Sequence, residues 1–171
     1  MKNVRLWLGL VPAVIALCAF IAGGCGKKAE EVTAEKMMEK AMSEATGKDT
    51  KVDLNNGDVH VENKDMKVDI ASSSTWPADM FADVPEFTGG TIERVVSSEE
   101  GGMKKFNIYF NTIKDNAIKE YVQSLKSKGW DANLMDMGKG GLLNGTKGKL
   151  GITFSYSTEK KDGMLAAFST Q

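Results

Sequence analysis

The residue with the most definite chemistry in this chain is Cys25, which closes the run Ile21-Ala22-Gly23-Gly24-Cys25-Gly26 behind a long apolar stretch. A cysteine preceded by small residues in that setting has the form of a bacterial lipobox. There the thiol is lipidated and the segment before it, here residues 1–24, is removed as a signal peptide. Met1 to Arg5 is basic and Leu6 to Ala22 is apolar, the layout of a secretory signal. An uncleaved membrane helix is the competing reading, since about 17 apolar residues is the lower limit for spanning. Pro12 would kink such a helix, and a spanning helix gains nothing from Ala22-Gly23-Gly24, so cleavage is expected. Cys18 competes poorly, because Leu17 is too large for the position before the cut. One of the two cysteines thus leaves with the signal and the other carries lipid. Neither a disulfide nor a thiolate zinc site is then expected.

The other residues that could do chemistry are weaker. His60 is the single histidine, and an acid–base dyad with Asp53 across a strand is conceivable. No serine or cysteine nucleophile is tied to it, so a solvent-side ion pair is the expected role. Met37, Met38 and Met42, with Met135 and Met137, could ligate Cu(I). Without a His or Cys beside them they read as filler for an adaptable core. Gly138-Lys139-Gly140-Gly141 lacks the Lys-Ser/Thr ending of a phosphate loop and reads as a turn. Asp53 to Asp58 fails as a calcium loop, because Lys64 stands where a bidentate Glu is required. Trp76, beside Pro77, is the candidate for an exposed partner contact, although closing over a domain edge is the favoured role. Trp130 follows a buried stripe and reads as core. No catalytic residue, metal or cofactor is therefore expected.

These residues need elements to place them. After the short tether 25–29, Glu30 to Ala45 repeats apolar residues at helical spacing: Ala34, Met37, Met38, Ala41, Met42 and Ala45. Gly47 supplies its stop. Asn56-Gly57 is a strong two-residue hairpin signal. It sets Leu54 opposite Val59, Val52 opposite Val61, and Asp53 opposite His60. A second turn at Asn63-Lys64 would set Val61 opposite Met66 and Val59 opposite Val68. Residues 30–70 thus read as a helix covering the dry face of a three-strand meander.

Ala71 to Thr75 is a flexible break. Trp76 to Phe87, with two prolines and many apolar residues, suggests a segment laid against the C-terminal domain, so 71–88 is a linker segment. The stretch 89–171 reads as α+β. Strands at Thr91–Ser98 and Met103–Phe110 precede a helix from Asp115, as N-cap, to Lys128. Ala117, Ile118, Tyr121, Val122 and Leu125 are its buried stripe, and Gly129 ends it. Trp130 opens the next strand, and Leu142–Thr146, Lys149–Ser157 and Met164–Ser169 complete a mainly antiparallel sheet. The order expected is β-β-α-β-β-β, with one helix on one face.

The helix closing on Ala45-Thr46-Gly47, the Asn-Gly hairpin, Asp83-Val84-Pro85 and the helix from Tyr121 to Lys128-Gly129-Trp130 together resemble a family of small uncharacterised bacterial lipoproteins. Phe81-Ala82-Asp83 departs from the Phe-Pro pair of that family. The resemblance implies export and anchoring and carries over no catalytic residue. With Gly26 after the cysteine, it also implies an outer-membrane location facing the periplasm in a two-membrane bacterium.

The formal charge of −1 becomes about −3 without Lys2 and Arg5, twenty basic against 23 acidic side chains. That balance argues against nucleic acid as a partner. The expectation is a non-enzymatic envelope or protein-interaction role, with the membrane contacted through lipid on Cys25. The alternative is a small-ligand or lipid-binding module in the periplasm, and an enzyme is the third choice.

Overall fold

A computed structural model describes residues 28–55 and 57–169. The expected signal peptide, residues 1–24, Cys25 and Asn56 lie outside them. Two helices, α1 (Lys28–Thr46) and α2 (Ala117–Ser127), flank nine strands: β1 (Lys51–Asn55), β2 (Asp58–Asn63), β3 (Met66–Ala71), β4 (Thr91–Glu100), β5 (Met103–Asn111), β6 (Asp131–Asp136), β7 (Gly140–Lys147), β8 (Leu150–Ser157) and β9 (Asp162–Ser169). All nine form one sheet in the order β1-β2-β3-β4-β5-β9-β8-β7-β6, with antiparallel neighbours throughout. The architecture is α+β, dominated by the sheet.

Three features differ from the sequence expectation. The meander and the C-terminal strands, expected as successive units, share one sheet, because β3 pairs along its length with β4. The C-terminal order is β-β-α-β-β-β-β, which agrees with the six strands named individually from the sequence and is one strand longer than the order β-β-α-β-β-β given for them. The first helix begins at Lys28, inside the stretch expected as tether.

The first hairpin has the expected register, Val52↔Val61, Asp53↔His60 and Leu54↔Val59. Gly57 takes a φ of +89°, which a side chain would strain. The second turn is corrected by two residues: Val61 faces Val68 and Val59 faces Ile70. The Asn63 side-chain oxygen accepts the N–H groups of Asp65 and Met66, which makes Lys64-Asp65 the turn. A slip of two leaves each side chain on its original face, so Val52, Val59, Val61 and Val68 still form one buried cluster.

Helix α1 covers that cluster with Met38 and Met42, while Met37 is left 68% exposed. Its inward face is centred one position away from the expected stripe, because two glutamates also face β1. Glu39 accepts the Val52 N–H at 3.1 Å and Glu35 accepts the Leu54 N–H at 2.9 Å.

The apolar side of the sheet changes at β4. Val96 packs with the valine cluster under α1, whereas its neighbour Val95 packs with the larger core under α2. Adjacent residues of a strand point to opposite faces, so the two helices sit on opposite faces at opposite ends of the sheet. A bulge between Ile92 and Arg94 lets Ile92 share the face of Val95.

The larger core is built from alternating residues, Ile108 and Phe110 on β5 and Ile152 and Phe154 on β8, each at most 1% exposed, while Phe106 on β5 is buried edge-on to Phe81. Helix α2 buries Ala117, Ile118, Tyr121, Val122 and Leu125 against them. Its start is corrected: Asn116, at a φ of 63°, is the N-cap and makes no side-chain cap bond, while the Asp115 side chain is 88% exposed. Its end follows the sequence. Gly129 at a φ of +80° lets Gly129 N–H reach Lys126 O and Trp130 N–H reach Leu125 O, a Schellman cap.

Candidate functional site

Four places could carry function, and the first is the segment Trp76–Phe87. It lies on the larger core as a strap, with Val84 and Phe87 buried and Trp76, Met80 and Phe81 packed against it. Two turns shape it, Met80 N–H to Pro77 O and Val84 N–H to Phe81 O. The strap is held by its own carbonyls. Trp130 Nε1 donates to Asp83 O at 3.0 Å, and the Tyr121 hydroxyl donates to Pro85 O at 2.8 Å. Lys147 and Lys104 add ion pairs to Asp83 and Asp79, both at 2.6 Å. The Lys104 hydrogen bond holds the Asp79 carboxyl below its ordinary pKa. Phe87 closes the arrangement edge-on to Phe110, Tyr121 and Phe154. Burial pushes the Tyr121 hydroxyl far above the usual phenol range. A buried phenol that donates its proton to a backbone carbonyl serves as a strut. Trp76, the sequence candidate for partner contact, is half-buried in this strap.

The second place is His60. Register places Asp53 opposite it, as the sequence indicates, but the bonded partner is a different residue. His60 Nδ1 bonds to Asp69 on β3, and Nε2 lies 3.4 Å from Glu62. Asp69 is opposite His60 because of the two-residue correction in register. The Asp69 bond raises the His60 pKa above its ordinary value, with partial burial opposing it and Glu62 assisting. The cluster sits on the polar face of the meander; the register sets Ser97 of β4 across from Asp69, with Asp69 between it and His60. Among the described residues, no group of three or more His, Cys, Asp or Glu is placed to hold a metal.

Third is a shallow depression of about 210 Å³ at the start of α2, lined by Asn116, Ile118 and Lys119 with Asp136, Gly138 and Tyr156. Burial and then the Asp136 charge raise the Tyr156 pKa. A second depression, about 340 Å³, lies between the strap and α2 and is rimmed by Glu86, Lys114, Asp115 and Glu120. Ligand pockets are mostly apolar and enclose their occupant; both depressions are open and charged. Every buried side-chain N or O atom among the described residues is hydrogen-bonded, so none is left aimed at a ligand. Of the glycines in Gly138 to Gly141, Gly138 serves the turn with a φ of +81° and the other two serve packing: a Cβ on Gly140 would stand 2.2 Å from Tyr156 O, and one on Gly141 2.4 Å from Met135 O. Lys139 between them pairs with Glu159 at 3.0 Å.

The fourth place is the face of the C-terminal strands opposite α2. Met103, Asn107 and Tyr109 on β5, Met164 and Phe168 on β9 and Leu142 on β7 are half-buried there, and Met135 is 52% exposed. Phe168 lies flat over Gly151, where a Cβ would stand 2.4 Å from the ring. Arg94 stacks on Tyr109 at 4.5 Å. The methionines read from sequence as core filler divide accordingly: Met38 and Met42 pack, whereas Met37, Met135 and Met137 are exposed.

The chain matches no protein-family model, and no curated protein sequence or solved structure is significantly similar to it. No described helix is long and apolar enough to cross a membrane.

Proposed function

We propose that this is an exported bacterial lipoprotein, held to the membrane by acyl chains on Cys25, which acts by binding another protein of the envelope rather than by catalysis. In a two-membrane bacterium its place is the outer membrane, facing the periplasm. The observation that carries the binding role is the face of β5, β9, β8, β7 and β6, with Arg94 of β4 at its margin, which no described residue covers. It combines Tyr109, Phe168 and three methionines with Asn107 and Arg94, and surfaces that mix aromatic residues, Met and Arg are those that bind proteins. The signal-like residues 1–24 and the small residues before Cys25 support the anchor.

The test is site-specific photo-crosslinking from position 168 in membranes of the native host, with intact-mass analysis of the purified product. A discrete adduct that is lost when Tyr109 is changed to Glu supports the reading. An adduct-free face, or an unmodified cysteine in a released mature chain, refutes it.

A further inference from the structure

The two edges of the sheet are treated differently. On β1 the outward Val52 and Leu54 N–H groups are occupied by Glu39 and Glu35 of α1. Such covering closes an edge to further pairing. The other edge, β6, has no such cover among the described residues. Met137 N–H bonds to Gly140 O at the hairpin, and pairing continues through Met135↔Leu142 and Asn133↔Asn144. Antiparallel bonding alternates along a strand, so Ala132, Leu134 and Asp136 turn their N–H and C=O groups away from β7. Ala132 is buried beneath α2, but Leu134 is only half-buried and Asp136 is exposed.

We propose that the β6 edge, from Asn133 to Asp136, is a docking site for an extended segment of a partner protein that carries basic side chains. The inference deepens the interaction reading by naming the partner's chemistry, and it rests on that reading. Three observations point to that occupant. Unpaired outward backbone groups select an extended chain, which supplies hydrogen bonds in return. Strand β6 carries Asp131 and Asp136 and no cation, so it attracts basic side chains. The depression beside Asp136, with Ile118, Lys119 and Tyr156 in its lining, offers room for one side chain of the added strand. A second copy of this chain is a poorer occupant, because joining two β6 strands adds two more carboxylates to the edge and supplies no cation. Apolar side chains on the other side of the added strand would meet Met135.

The experiment uses the full chain, purified in detergent micelles, titrated with the synthetic peptide Lys-Val-Lys-Val-Lys-Val-Lys. The expected result is saturable binding with slowed amide exchange at Leu134 and Asp136. A Glu-Val peptide of the same length and a fully N-methylated Lys-Val peptide should not bind. Asp131→Lys with Asp136→Lys should weaken the Lys-Val peptide by about tenfold or more. Should that variant not fold, the N-methylated peptide on the native chain still decides. The proposal is overturned if the Lys-Val peptide does not bind, binds no better than the Glu-Val or N-methylated peptide, or protects amides elsewhere. Self-association through β6 would overturn it as well. Loss of acylation or of the position-168 adduct would sink the anchored-binder reading without altering this titration.

Discussion

Changing Tyr121 to Phe removes one oxygen from the interior and leaves the ring in place. The hydroxyl donates to Pro85 O at 2.8 Å, and Tyr121 is 4% exposed. A buried hydrogen bond contributes about 0.5–1.5 kcal/mol net, and the abandoned partner adds a desolvation cost of about 1–3 kcal/mol. Pro85 is itself buried, so its carbonyl cannot turn to water while the strap stays seated. We expect a loss of about 2 kcal/mol, or roughly 4–8 °C in Tm for a chain of this size. Trp130→Phe removes the bond to Asp83 O, on the other side of Val84. The two losses should couple, by at least about 0.5 kcal/mol, because either donor alone keeps Val84 seated. Tyr109→Phe, on the half-exposed face, should stay within about 0.5 kcal/mol. The Tyr121 effect also has a pH signature. Its pKa is raised by folding, so the stability it contributes is complete below the unfolded value of about 10 and falls as pH rises beyond it. The wild-type advantage over Tyr121→Phe should therefore shrink in alkaline buffer. Urea melts at pH 8 and above pH 10 measure both effects. If Tyr121→Phe is as mild as Tyr109→Phe, the strap is not held by its carbonyls.

Leu125 is fully buried in α2, so Leu125→Ala should cost about 2–5 kcal/mol in thermal melts, whereas Lys126→Ala should be nearly silent. Val59→Asp places a charge among the valines and should collapse the NMR signals of residues 50–70 into an unfolded pattern; His60→Ala should change stability by less than about 1 kcal/mol. Because folding raises the His60 pKa, its small contribution is complete below about pH 6.5 and is lost as pH rises through the folded value; a wild-type advantage over His60→Ala that grows from pH 6 to pH 8 would refute the Asp69 pairing. Cys25→Ser should abolish labelling by a radioactive fatty acid, read on gels of whole cells. Glu35→Ala with Glu39→Ala should uncover the β1 edge and promote association, visible by light scattering, while Lys36→Ala should not.

What could be read from the sequence was local. Alternation in Leu150, Ile152, Phe154 and Tyr156 defines β8, and the Asn56-Gly57 signal gives the first hairpin its register. The second turn was misplaced because its length is set by the Asn63 side chain bonding two backbone groups, a choice that composition does not reveal. Asp115 has the right residue type for an N-cap, yet the left-handed Asn116 turns the chain one residue later. The pairing of β3 with β4 spans a long connection, and nothing in either strand names the other. The strap bonds were illegible for a different reason: they run to the carbonyls of Asp83 and Pro85, and every residue has a carbonyl. The open face and the β6 edge depend on strand order, which periodicity leaves undetermined.

The place of β9 in that order governs how the chain can assemble. It is the strand furthest along the chain, yet it lies in the interior of the sheet, between β5 and β8. During synthesis or export from the N-terminus, β1 to β5 can join by successive neighbours as they emerge, as can β6 to β8. Neither group can meet the other until residues 162–169 arrive. Until then β5 presents Phe106, Ile108 and Phe110 along an unfilled side, and β8 presents Ile152 and Phe154 along another. Late closure by sequence-distant pairing makes such a chain slow to fold and prone to wrong partners while it waits. A stop codon after Lys161 removes few residues but the whole seam, and its product should be recovered by the cell's proteases or in aggregates.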